Sequence, residues 1–117
     1  MIVSTQIAAN PQTTNIFFAT TGSQFAVTTI VLCNTSLTQS ANVNVYAQSY
    51  AGGNGGLGSL GIGTSTMILN NISIPPTETF IMDTEKFILE GGDRLDASEM
   101  SGNNGIVTST VSAIATA

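Results

Sequence analysis

Apolar and polar residues alternate with a period of two along most of this chain, most clearly at Val43-Asn44-Val45-Tyr46-Ala47-Gln48. Such alternation puts successive side chains on opposite faces of a strand. Runs rich in Val, Ile, Thr and Phe predict strands over Asn15–Thr20, Gln24–Cys33, Asn42–Tyr50, Thr66–Leu69, Thr79–Asp83, Lys86–Glu90, Arg94–Ser98 and Gly105–Ile114. Turn-forming residues separate them at Thr21-Gly22-Ser23, Asn34-Thr35-Ser36, Pro75-Pro76, Gly91-Gly92-Asp93 and Gly102-Asn103-Asn104-Gly105. No window repeats apolar residues at helical spacing. The expected fold is all-β: a single-domain antiparallel β-sandwich, jelly-roll-like, over residues 15–117.

In the last predicted strand Val107, Ser109, Val111 and Ala113 alternate with Thr108, Thr110 and Ser112, giving a largely apolar face and a hydroxyl face. Hydroxyls suit a pleated surface and can pair with neighbours without charge. Burying such a face against another subunit desolvates no ion. Left open it invites aggregation, because exposed strands usually carry Lys or other charged gatekeepers. This pattern predicts an assembled state. Two segments are candidate contact arms: residues 1–14 at the N-terminus, and the glycine-rich loop 51–65, where Leu57, Leu60 and Ile62 are unusual for a purely solvated linker.

Composition sharpens the expectation. The chain has 117 residues and a formal net charge of −5, with two basic residues, seven acidic ones and no His. All the charges, Glu78, Asp83, Glu85, Lys86, Glu90, Asp93, Arg94, Asp96 and Glu99, lie in one turn-rich window that is expected to face solvent. Two cations cannot neutralise a row of phosphates, so nucleic acid and anionic membrane surfaces are not expected partners. The longest apolar run, Thr29-Ile30-Val31-Leu32-Cys33, is far short of the roughly 20 residues that span a bilayer. The first residues lack the basic and apolar blocks of a secretory signal. The single cysteine, Cys33, is expected as a small buried hydrophobe.

Candidate chemistry is thin. Gly56-Leu57-Gly58-Ser59-Leu60-Gly61 matches a dinucleotide fingerprint in letters, but no helix is predicted after it to receive a pyrophosphate, so no cofactor is expected. Glu78 with Asp83, or Glu85 with Glu90, would be the paired carboxylates of a glycosidase, without the aromatic residues a sugar cleft uses. Asp83, Glu85, Glu90, Asp93 and Asp96 are hard ligands that suit Ca²⁺, but their spacing is not that of a calcium loop, and they read better as turn formers. Without His there is no base for a nucleophilic triad, and the chain is not expected to be an enzyme. Asn34-Thr35-Ser36 and Asn71-Ile72-Ser73 have the letters of glycosylation sequons and read as turns. Tyr46 and Tyr50 fall on the strand face opposite Val43 and Val45, where a tyrosine can stack on a sugar or anchor an interface.

The runs Met67-Ile68-Leu69-Asn70-Asn71-Ile72-Ser73-Ile74-Pro75, Thr79-Phe80-Ile81-Met82-Asp83-Thr84-Glu85-Lys86-Phe87-Ile88-Leu89-Glu90-Gly91-Gly92-Asp93 and Leu95-Asp96-Ala97-Ser98 resemble small β-sandwich virion proteins of tailed bacteriophages. Residues Val27–Ser36 and the closing strand Ile106–Val111 are similar to the same family, and the loop 51–65 is longer than the family pattern. The resemblance implies a structural, non-enzymatic role on a phage particle assembled in the host cytoplasm. The first expectation is a capsid decoration, or cement, protein bound to the major capsid protein as a homo-oligomer, with a trimer implied by the family. A neck, tail or baseplate component is the alternative. A small carbohydrate-binding or adhesin module using Tyr46 and Tyr50 is the alternative of a different class.

Overall fold

The computed structural model describes residues 1–10, 12–49, 65–83 and 87–116. The expected all-β sandwich is what the chain forms, and no helix occurs among the described residues. The strands are β1 (Ile2–Gln6), β2 (Thr14–Phe18), β3 (Gln24–Asn34), β4 (Ala41–Gln48), β5 (Ser65–Ile74), β6 (Thr79–Met82), β7 (Phe87–Glu90), β8 (Arg94–Glu99) and β9 (Val107–Ala115). One sheet has five strands in the order β1-β9-β3-β6, with β7 also paired to β3; the other runs β2-β8-β4-β5. Since β6 and β7 both lie along β3, they act as one interrupted strand. Nearly every connection between the described strands then crosses between the sheets, and among them only β4 and β5 form a hairpin within one. Two sheets interleaved in this way have the strand order of a jelly roll.

Inward-facing residues of both sheets make one core, including Phe17, Phe25, Val27, Ile30, Leu32, Val43, Val45, Leu95, Val107 and Val111, all buried. The rings of Phe17 and Phe25 meet edge to face across the sandwich, 5.4 Å apart at 83°, the arrangement favoured by the aromatic quadrupole. Bulges adjust the strands where strict alternation would send an apolar residue outward. In β3 the register shifts between Val27 and Thr29, so both Val27 and Ile30 point inward. The extra residue, Thr28, donates its hydroxyl to the Ser112 carbonyl. A shift between Asn15 and Phe17 likewise buries Ile16 and Phe17 together.

Two expectations about element bounds change. The segment 1–14, read as an arm, begins with a strand: Ile2–Gln6 runs antiparallel along β9 of the same chain, with Val3 opposite Val111. Its backbone gains a ladder and its odd-numbered side chains gain the core edge, which outweighs the weak strand signal of Ile-Val-Ser-Thr-Gln. β5 continues past Leu69 to Ile74, because Asn71 adopts a positive φ of 54° and forms a bulge rather than ending the strand. The side-chain carbonyl of Asn44 in β4 accepts the Asn71 N–H at 2.6 Å and keeps the ladder satisfied there.

Two turns pack against each other at one end. Thr20–Ser23 and Glu90–Asp93 are each closed by a backbone hydrogen bond, and Gly92 (φ 97°) supplies the left-handed residue of the second. A side chain at Gly91 would bring a carbon within 2.7 Å of the Gly22 nitrogen, so this contact requires glycine.

Candidate functional site

Among the described residues the acids of the charged window are spread over turns and two different sheets. Glu78, Asp83 and Glu90 are exposed, and Asp93 folds back on its own turn, accepting the Glu90 N–H at 3.0 Å. Asp96 lies on the other sheet, where it pairs with Arg94 at 3.0 Å. No group of three or more His, Cys, Asp or Glu suited to a metal ion occurs among the described residues. Glu85, Lys86, Tyr50, the fingerprint-like run 56–61 and loop residues 51–64 lie outside the described residues. No helix among those described is long and apolar enough to cross a membrane.

Exposure of the whole charged window is corrected by two residues. Asp96 is buried beside Arg94 and accepts a further bond from Asn15. Glu99 has no accessible surface. β8 ends with its side chain turned inward, opposite Val43, at the end of the sandwich where the chain leaves for the turn 100–105. There the carboxylate accepts the N–H groups of Asn42 (3.0 Å), Ser101 (3.0 Å) and Asn103 (2.9 Å), and a short bond from the Ser101 hydroxyl. Burial pushes its pKa up; the Ser101 hydroxyl and the N–H groups of Asn103, Asn42 and Ser101 outweigh burial, and the net shift is downward. Its own backbone exchanges bonds with Ala8 and Asn10, which ties the segment after β1 to β8. Glu99 is therefore a structural anion held by oriented donors. Alternation along β8 sets Glu99 on the face of Leu95 and Ala97, and only its charge makes it read as a solvated strand end.

The outer face of the four-stranded sheet carries Tyr46, on the side opposite Val43 and Val45 as its position in the alternation predicts. Around it Arg94 donates to Gln48 at 3.0 Å, Asn15 to Asp96 at 3.2 Å, and Asn44 to the Tyr46 hydroxyl at 3.2 Å. These polar groups are largely spent on one another.

The outer face of the five-stranded sheet is different. Registers bring Ser4, Thr110, Val31 and Ile81 into one row, Gln6, Thr108, Cys33 and Thr79 into the next, and Ile114, Ala26 and Ile88 into another. Within these strands the only charged side chain is Glu90, at the end of β7. Four isoleucines stand out of this face: Ile2 is 70% exposed, Ile81 55%, Ile88 52% and Ile114 59%. The hydroxyl face of β9 lies in its middle, as the alternation predicts, while Val107, Ser109, Val111 and Ala113 are buried beneath. Cys33 belongs to this face and is half-buried, not a core residue, because the bulge at Thr28 reverses which side of β3 it occupies. Sequence reasoning found the β9 component but not the isoleucines, whose common face depends on how β6 and β7 register on β3. A shallow cavity of about 210 Å³ lies at one corner, lined by Gln6, Ile7, Ala8, Asn104 and Gly105.

The first sequon asparagine, Asn34, is buried between the sheets. Its amide donates to the carbonyls of Gln39 (2.8 Å) and Ile74 (2.9 Å), and its oxygen accepts the Ser36 N–H (2.9 Å), so it is a bridge with no access for a glycan.

No family model matches the chain, and no curated protein is significantly similar to it.

Proposed function

We propose that this protein is a structural component of a tailed-phage virion, most specifically a capsid decoration protein that attaches to the major capsid protein through the outer face of its five-stranded sheet. The observation that carries the reading is that face: Ile2, Ile81, Ile88 and Ile114 exposed among Thr and Ser, with charge only at its edge. Covering it desolvates apolar groups and hydroxyls but no ion in its middle, whereas an isolated protein would keep a sticky sheet in water. The runs that resemble virion proteins include β6, β7 and β9, which contribute much of this surface. The jelly-roll order supports a sandwich scaffold but does not choose among its uses, since such folds serve capsids, lectins and enzymes alike. Many copies on a symmetric lattice would hold by repetition of a modest contact.

The test is a copy count in gradient-purified virions. Decoration predicts one copy for every few capsid subunits; a neck, tail or baseplate part predicts a ring's worth of copies, and absence from the particle removes the virion reading. A sugar-binding module is the second reading, favoured by Tyr46 beside Arg94, Asp96 and Gln48. It predicts glycan binding that Tyr46→Ala abolishes, and a silent glycan panel eliminates it.

A further inference from the structure

We infer that β1 is a dimerisation edge, at which a second copy of this chain adds its own β1 in antiparallel register about a two-fold axis through Ser4. Backbone hydrogen bonds join Met1 to Ala113 and Ile7 to Val107 at the two ends of the β1–β9 ladder. Antiparallel strands alternate between bonded and non-bonded pairs. Val3 and Thr5 therefore bond to β9, while Ile2, Ser4 and Gln6 direct their N–H and C=O groups away from it. All three are exposed, and the remaining backbone bonds among the described residues do not use these groups.

The other edges of the two sheets are each blunted. β5 carries the Asn71 bulge, β2 carries the bulge at Ile16, and the edge formed by β6 and β7 is interrupted and ends in Glu90. β1 has no bulge, no proline and no charge. An edge without any of these devices is a template for another strand.

The register makes a second copy the fitting occupant. Pairing Ser4 with Ser4 of the second copy sets Ile2 against Gln6 and Gln6 against Ile2, and each of these is a bonded pair. Every outward N–H then meets an outward C=O without a slip. The odd-numbered side chains keep their own core edge, and the outer faces of the two sheets join into one surface. Uncharged side chains bring no repulsion to the axis. The symmetry is two-fold, in contrast to the trimer implied by the resemblance. The inference stands on this edge alone and not on a virion role, so either can fail without the other.

The experiment uses the purified full chain in sedimentation equilibrium and residue-resolved amide exchange, from micromolar to about 1 mM. The expected result is a concentration-dependent rise to twice the chain mass, with Ile2, Ser4 and Gln6 amides gaining protection in step while Val3 and Thr5 are protected throughout. Ser4→Lys and Ser4→Glu are surface changes that leave the core intact. Each alone should weaken self-association about tenfold or more, through like charges meeting at the axis, and an equimolar mixture should restore it. A chain that stays monomeric at about 1 mM overturns the inference. So does a dimer indifferent to both variants, a mixture that fails to reassociate, or a dimer in which the Ile2, Ser4 and Gln6 amides remain open.

Discussion

Replacing Glu99 by glutamine keeps the shape of a fully buried side chain and removes its charge, which isolates what the carboxylate does at the end of the sandwich. One oxygen accepts the N–H groups of Ser101 and Asn103, and the other accepts the Asn42 N–H and the Ser101 hydroxyl. An amide NH₂ in the second place can still meet the Ser101 hydroxyl if that group rotates to accept. It cannot accept from Asn42, whose N–H is then left unpaired. Losing one charge-assisted bond and orphaning its donor, with the remaining bonds weakened to neutral ones, amounts to about 3 kcal/mol. That is a large part of the roughly 5–15 kcal/mol that stabilises a domain, and corresponds to a fall in Tm of about 10 °C. The pH dependence has a fixed sign. The folded pKa lies below the ordinary value of 4.5, so the carboxylate's contribution is present above the unfolded pKa and is lost as pH falls through the folded one. Urea unfolding of wild type and Glu99→Gln, at pH 7 and then stepwise into acid, should give a gap that is widest at neutral pH and narrows below 4.5. Two curves that coincide at pH 7, or a gap that does not change in acid, would refute the role assigned to the buried anion.

Other substitutions test other parts of the account. Asn34→Ala removes the bridge from β3 to the Ile74 carbonyl and leaves buried backbone groups unpaired, so urea unfolding should register a loss of about 2–4 kcal/mol. Ser109→Ala should hold stability or raise it by up to about 1 kcal/mol, because the buried Ser109 hydroxyl has no hydrogen-bond partner among the described residues; a clear loss in calorimetry would mean that the hydroxyl is satisfied in solution. Gly91→Ala should cost about 1–3 kcal/mol by forcing the two packed turns apart, which thermal unfolding would register. Thr77 holds a positive φ of 66° at the third position of the turn Pro75–Glu78, a conformation that suits glycine or asparagine, so Thr77→Gly should raise the Tm by a few degrees, and a fall would contradict the strain.

Much of this architecture is legible in the residues, for a local reason. Period-two alternation and turn residues act within a few positions, so β2 to β4 and β6 to β9 are found within one or two residues of their ends. What is missed depends on partners far away in sequence. β1 exists because β9 offers Val111 and Ser109 beside Val3 and Thr5, and no feature of Ile2–Gln6 announces that pairing. Asn71-Ile72-Ser73 reads as a turn until Asn44 is found holding the bulge from the neighbouring strand. Cys33 changes sides because one inserted threonine shifts the register of β3. The same division applies to the candidate surface. The hydroxyl row of β9 follows from alternation alone, whereas the meeting of Ile81, Ile88 and Ile114 is a product of sheet order. Glu99 and Asp96 read as solvated acids because they are charged, although alternation sets Glu99 on the face of Leu95 and Ala97; the donors that converge on them make their burial tolerable.

The central claim is that the charge-poor outer face of the five-stranded sheet is covered when the protein is at work. Hydroxyl-radical footprinting of the free protein and of purified particles measures this directly. The account predicts that Ile2, Ile81, Ile88 and Ile114 are labelled in the free chain and protected on the particle, while Leu37 and Met67, exposed elsewhere, are labelled in both. Equal labelling of the four isoleucines in both states, or protection of Met67 and Leu37 in their place, would contradict it.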